Sequence, residues 1–254
     1  GQCQALSMVG FKANRIRQLS GQALPAQLRW LILTDNAMTA LPAEIGRCTQ
    51  LQKLMLAGNQ LSALPPELAA CHKLELLRVS ANRLTALPEW LLRMPRLTWL
   101  ACGGNPFGET AEAQALQHSP IAHIAWSDLE MQQQLGQGAS GVIQQALLNT
   151  PQGLLPVAVK LFKGAVTSDG WPHTEMAVCL HAGTHPQLIP ALGQITGHPA
   201  GTQGLVMPLI DPLMRNLAGP PSMASCTRDT YAETTRFTLS AALQLAHGIA
   251  SAGR

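Results

Sequence analysis

Five asparagines recur along the first 105 residues, Asn14, Asn36, Asn59, Asn82 and Asn105, at intervals of 22, 23, 23 and 23 residues. The apolar residues around them keep the same frame. The clearest copy runs Leu51, Leu54, Leu56, Asn59, Leu61, Leu64, Pro65, Leu68 and Cys71. Residues 28–48 and 74–94 repeat it, and 6–19 and 97–107 are partial copies. A period this short leaves few folds open. One unit cannot bury its own apolar side, so neighbours must stack and share a column of leucines. Each asparagine falls where the chain turns out of its strand. An amide both donates and accepts, so it can satisfy backbone groups that the turn would otherwise bury unpaired. Pro42, Pro65 and Pro88 each follow a leucine. They fix φ at the start of the returning arm and favour an extended or 3₁₀ path.

This pattern resembles the leucine-rich repeat, and its Leu-Pro-x-x-Leu form resembles intracellular bacterial and plant repeats. The resemblance covers residues 5–108 and implies an α/β solenoid that binds protein on its strand face. Residues between the leucines point outward on such strands. One outward column reads Met8, Trp30, Lys53, Leu76, Trp99, and the next Gly10, Ile32, Met55, Arg78, Ala101. Trp30, Lys53, Met55, Leu76, Arg78 and Trp99 are therefore the candidate residues for a protein partner or substrate, with the tryptophans as anchors. Trp99 would serve equally well as a cap packed under the segment that follows.

Charged residues make up only 12% of the 254 and hydrophobic ones 46%, which describes a packed globular chain. A net charge of +3 gives no argument for nucleic acid. Residues 1–108 hold 11 Lys+Arg against 5 Asp+Glu, and 109–254 hold 6 against 9. Cys48, Cys71 and Cys102 occupy apolar repeat positions and read as buried small hydrophobes in a reducing, cytoplasmic setting. Cys179, His181 and His185 have no second ligand pair, so no metal site is expected. No apolar run reaches 18 residues, so no membrane span is expected. No signal peptide is visible, and the chain does not begin with Met, so its amino terminus reads as cut. Residues 109–127 read as a capping segment and linker, with a short helix at Ala111–Gln117 that Pro120 ends.

The second half carries a different signal. Gly136-Gln-Gly-Ala-Ser-Gly141 has the form G-x-G-x-x-G, and Val157-Ala-Val-Lys160 follows as an apolar run ending in a lysine. Backbone N–H groups approach phosphates closely only where no Cβ intrudes. A lysine on the next strand can then reach the same phosphates as a compact charge. The loop is not a Walker A sequence, because no Gly-Lys-Ser/Thr closes it. A dinucleotide-binding fold is the rival. It needs an acidic residue about 20 positions on for the ribose, and no Asp or Glu occurs between Met131 and Ser168.

The order and separation of these segments resemble the ATP-binding lobe of protein kinases. The resemblance implies an α+β N-lobe, an antiparallel sheet plus a helix, followed by the start of a helical C-lobe over residues 128–254. It implies ATP bound by Leu135, Gly136, Gln137, Gly138, Ala139, Ser140, Gly141, Val142, Ile143 and Ala158, with Lys160 on the phosphates. Glu175 would hold that lysine in place. Met207 would stand behind the adenine, with the Pro208 carbonyl and the Ile210 N–H on its edge. Strands are expected at Leu129–Leu135, Val142–Leu148 and Val157–Phe162, and a helix at Phe237–Ala250.

No His-Arg-Asp loop, Asp-Phe-Gly or Ala-Pro-Glu occurs. In such a kinase these, with the Mg²⁺ ligands, would lie beyond Arg254, so the chain reads as a fragment that holds Mg·ATP weakly without transferring phosphate. The reading is thus a repeat-bearing protein kinase of Ser/Thr type. Its alternative is a repeat scaffold with a non-catalytic kinase lobe.

Overall fold

The computed structural model describes residues 3–110, 122–138, 140–167, 169–181 and 185–252. The expected helix at Ala111–Gln117 lies outside them. The chain divides into two compact units, Gly1–His118 with Lys163–Glu175, and Ser119–Phe162 with Met176–Arg254.

In the first unit each repeat contributes one three-residue strand. These are β1 (Met8–Gly10), β2 (Trp30–Ile32), β3 (Lys53–Met55), β4 (Leu76–Arg78) and β5 (Trp99–Ala101). They pair in parallel, each with the next in sequence. The central leucine of each strand faces inward, and Leu31, Leu54 and Leu77 are at most 1% exposed. Burying a leucine contributes about 1.5–3 kcal/mol, which a single repeat alone could not collect. The returning arms are 3₁₀ turns at Ala43–Arg47, Pro66–Ala70 and Glu89–Arg93. Pro42, Pro65 and Pro88 stand just before them with φ of −68°, −67° and −70°.

The asparagines form a ladder through this unit. Asn59 Oδ1 accepts from the Met38 N–H at 3.0 Å, and its Nδ2 donates to the Leu33 and Leu56 carbonyls at 2.9 Å. Asn82 and Asn105 repeat the pattern one and two turns on. The residue before each asparagine is left-handed: Ala13, Asp35, Gly58, Ala81 and Gly104 have φ of 57°, 58°, 69°, 51° and 69°. Cys48 and Cys71 lie fully buried in the same column. Burial pushes the Cys71 thiol up to about 12 and raises that of Cys48, which leaves both as neutral, inert packing groups.

The second unit holds β6 (His123–Ala125), β7 (Leu129–Gln137), β8 (Gly141–Thr150), β9 (Gly153–Phe162), β10 (Gly193–Thr196) and β11 (Gly204–Pro208). Among the described residues they form one sheet in the order β6-β10-β11-β9-β8-β7. The expected antiparallel sheet is in fact mixed, because β6 runs parallel to β10. This strand comes from the stretch read as linker. It caps backbone groups that an open β10 edge would expose, and Ile124 packs against the core that holds Ile195. Two helices are described: α1 (Pro172–His181) and α2 (Leu239–Ala252). The division between units falls inside α1, after Glu175.

Strand alternation gives the second sheet two apolar faces. Val157, Val159 and Val206 join Leu129, Ala146 and Ile195 in one core. On the other face Phe162 and Leu205 pack with Met176 of α1.

Candidate functional site

The glycine loop is the turn of the β7–β8 hairpin, closed by a hydrogen bond from the Gly138 N–H to the Gly141 carbonyl at 2.9 Å. Its three glycines differ in surroundings. A Cβ on Gly136 or Gly138 would meet nothing within 4 Å, so both present open backbone. A Cβ on Gly141 would lie 2.4 Å from the Leu161 carbonyl oxygen. Gly141 is therefore needed for the close pairing of β8 with β9. Ala139 lies outside the described residues; Gln137 ends β7, and Ser140 precedes β8.

Register brings several candidate residues onto one face. Ile143 stands opposite Lys160, and Ala158 opposite Met207. Directly opposed residues in an antiparallel pair project to the same side, as do positions i and i+2 of one strand. Ile143, Ala158, Lys160 and Met207 thus share a face. Val142 does not. It pairs with Leu161 and projects to the opposite side, a correction that follows from the two-residue period of the strand. Leu135 falls in a stretch where the β7–β8 register shifts, and it is 47% exposed.

The Lys160 ammonium lies 4.8 Å from the centroid of the Phe162 ring. Glu175 belongs to the first turn of α1 and to the first unit, whereas Lys160 belongs to the second. The Glu175 carboxylate accepts from the Thr167 hydroxyl at 3.3 Å. Pro208 ends β11, and Ile210 follows beyond the strand, half exposed. Among the described residues no group of three His, Cys, Asp or Glu is arranged to hold a metal ion, and no helix is long and apolar enough to cross a membrane.

The two outward columns on the repeats are in the expected register, Met8–Trp30–Lys53–Leu76–Trp99 and Gly10–Ile32–Met55–Arg78–Ala101. Cations already cover both tryptophans. Lys53 Nζ lies 4.0 Å from the Trp30 ring centroid, and the Arg78 guanidinium 5.2 Å from that of Trp99. Each such pair is worth about 0.5–1 kcal/mol where exposed. Met55 is half-buried. Leu76 departs from expectation: it is only 4% exposed, so it is not available on an open face.

Sequence reasoning missed that residues 163–175 cluster with the repeats and not with the strand that precedes them. Asp169 Oδ1 lies 2.9 Å from Arg78 Nε. Val166 and Thr167 are buried, at 6% and 0% exposure. The one local signal is Asp169-Gly170, a turn dipeptide.

Residues 49–107 match the family model described as leucine rich repeat. None of the curated proteins matches the chain. Among solved structures, an LRR protein of Leptospira interrogans is 31% identical over 46% of this chain and 30% of its own, with a TM-score of 0.41. Strands β3 to β5, with Asn59, Asn82 and Asn105 between and after them, are leucine-rich repeats.

Proposed function

We propose that the second unit is the nucleotide-binding lobe of a protein kinase, probed by Mg·ATP, and that the repeats bind a protein partner or substrate. The observation that carries the first half is the shared face of Ile143, Ala158, Lys160 and Met207, on strands continuous with a glycine hairpin whose Gly136 and Gly138 are open. The strand order β10-β11-β9-β8-β7 also supports it. It orders the segments as the resemblance requires, with the lysine strand central.

These residues fit the group. Small Ala158 and branched Ile143 offer an apolar wall for a flat base, and Met207 closes the wall at one end. Open backbone at Gly136 and Gly138 suits the approach of phosphate oxygens. Lys160 supplies a fixed cation for them. ATP, when bound with Mg²⁺, supplies the phosphoryl group, for which a Ser/Thr hydroxyl is the proposed acceptor. The protein's part is positioning and charge neutralisation.

Thermal unfolding with and without Mg·ATP tests this. A ligand that binds only the folded state raises its stability by RT ln(1 + [L]/Kd), about 2.7 kcal/mol at 100 times Kd. The wild-type chain should show a rise in Tm that Lys160→Ala loses. No shift in either protein would favour the scaffold reading, in which the repeats alone do the work.

A further inference from the structure

Four residues of the 163–175 segment, Val166, Asp169, Gly170 and Trp171, meet residues at or just past the ends of three repeat strands. A Cβ on Gly58, which follows β3, would lie 2.6 Å from Val166 Cγ1. A Cβ on Gly104, which follows β5, would lie 2.7 Å from Trp171 Cδ1. Between them, a Cβ on Gly170 would lie 2.8 Å from Ser80 Cβ, just past β4. Asp169 meets Arg78 at the end of β4. The segment is folded to make these contacts. The Thr167 N–H donates to the Gly170 carbonyl at 2.7 Å, and the Asp169 N–H to the Thr167 hydroxyl at 3.2 Å. Gly170 has a φ of 121°, which a side chain would oppose.

The glycines on the repeat side carry a further signal. The same left-handed position is filled by Ala13, Asp35 and Ala81 in the other repeats, so the turn itself does not demand glycine. Gly58 and Gly104 are the two positions against which Val166 and Trp171 are seated. They leave room for side chains of another segment.

We propose that this edge of the repeats, from Gly58 through Arg78 and Ser80 to Gly104, is a peptide-binding surface, and that residues 163–175 are its built-in occupant. The partner it fits is an extended protein segment with a carboxylate, a branched aliphatic three residues before it and an indole two residues after. The repeats' excess of 11 cationic over 5 acidic side chains favours such an acidic ligand. Because the occupant is tethered, it competes at roughly millimolar effective concentration, so an outside partner succeeds only by matching the same contacts better.

The test uses the full 254-residue chain and a fluorescent synthetic peptide of residues 163–175. Wild type, already filled, should bind the peptide at least about 10-fold more weakly than Gly170→Ala, whose turn cannot keep the docked shape. Adding Arg78→Ala to Gly170→Ala should abolish the gain. Hydrogen exchange supplies a second measurement that leaves the segment's own sequence intact. Gly58→Ala and Gly104→Ala should speed exchange at Thr167 and Gly170 by about 10-fold or more while the amides of β3–β5 keep their protection. Equal peptide binding by wild type and Gly170→Ala, or unchanged exchange in both glycine variants, overturns the proposal.

Discussion

Asn59 shows how much a single side chain decides in a repeat protein. Its amide serves the N–H of Met38 and the carbonyls of Leu33 and Leu56, and the residue is 7% exposed. Asn59→Ala strands the Met38 N–H where water does not reach, at about 1–3 kcal/mol, while the Leu33 and Leu56 carbonyls keep only their bonds from Asn36 and Asn82. Asn14 is exposed and makes one such bond, to the Lys12 carbonyl. Its alanine variant should therefore unfold within about 1 kcal/mol of wild type. Chemical denaturation of both variants checks the contrast, and equal losses would refute the ladder as a buried network. The amide's role was legible in the sequence from its spacing. The left-handed φ of the residue before it was not, because Ala13, Asp35 and Ala81 hide what Gly58 and Gly104 suggest. Leu76 was misread for a related reason. Its position in an outward column is fixed by the repeat, but its burial depends on neighbours that the repeat does not encode.

At the scale of elements, strands β7, β8 and β9 were readable because alternation in Leu129–Leu135 and apolar runs bounded by glycine and turn residues carry a strand signal of their own. Short β6 was missed, since His123, Ile124 and Ala125 have no periodicity and become a strand only through pairing with β10. The glycine hairpin separates structural from functional roles within one motif. Gly141→Ala drives a Cβ to 2.4 Å from the Leu161 oxygen. It should lower stability by about 1–3 kcal/mol through the displaced β8–β9 pairing. Gly138→Ala meets no neighbour, so its Tm should stay near that of wild type. If the hairpin cradles phosphates, Gly138→Ala nonetheless weakens Mg·ATP binding by calorimetry. Unchanged affinity in a fully folded Gly138→Ala protein would remove the hairpin from the proposed site.

For the whole molecule, the segment seated on the repeats is continuous at one end with β9, which carries Lys160, and at the other with α1, which carries Glu175. Its docked form also fixes the start of α1. The Trp171 carbonyl accepts from the Thr174 and Glu175 N–H groups at 3.1 and 3.2 Å, and the Thr167 hydroxyl reaches the Glu175 carboxylate. Under the nucleotide reading, a docked segment holds the chain that follows Lys160 in one conformation, which lowers the entropy cost of binding Mg·ATP. Release of the segment should then weaken Mg·ATP, and linkage requires the reverse effect to be equal, with Mg·ATP weakening capture of the outside peptide by the same factor. Allosteric couplings of this kind are typically about 5-fold or more. Titrating Mg·ATP into wild type and Gly104→Ala gives one side of the cycle, and titrating the peptide with and without Mg·ATP gives the other. Mg·ATP that binds wild type and Gly104→Ala alike, while the segment's exchange rises in the variant, would separate the two activities. The repeats would then be a peptide receptor with its own ligand built in, and the nucleotide lobe an independent passenger on the same chain.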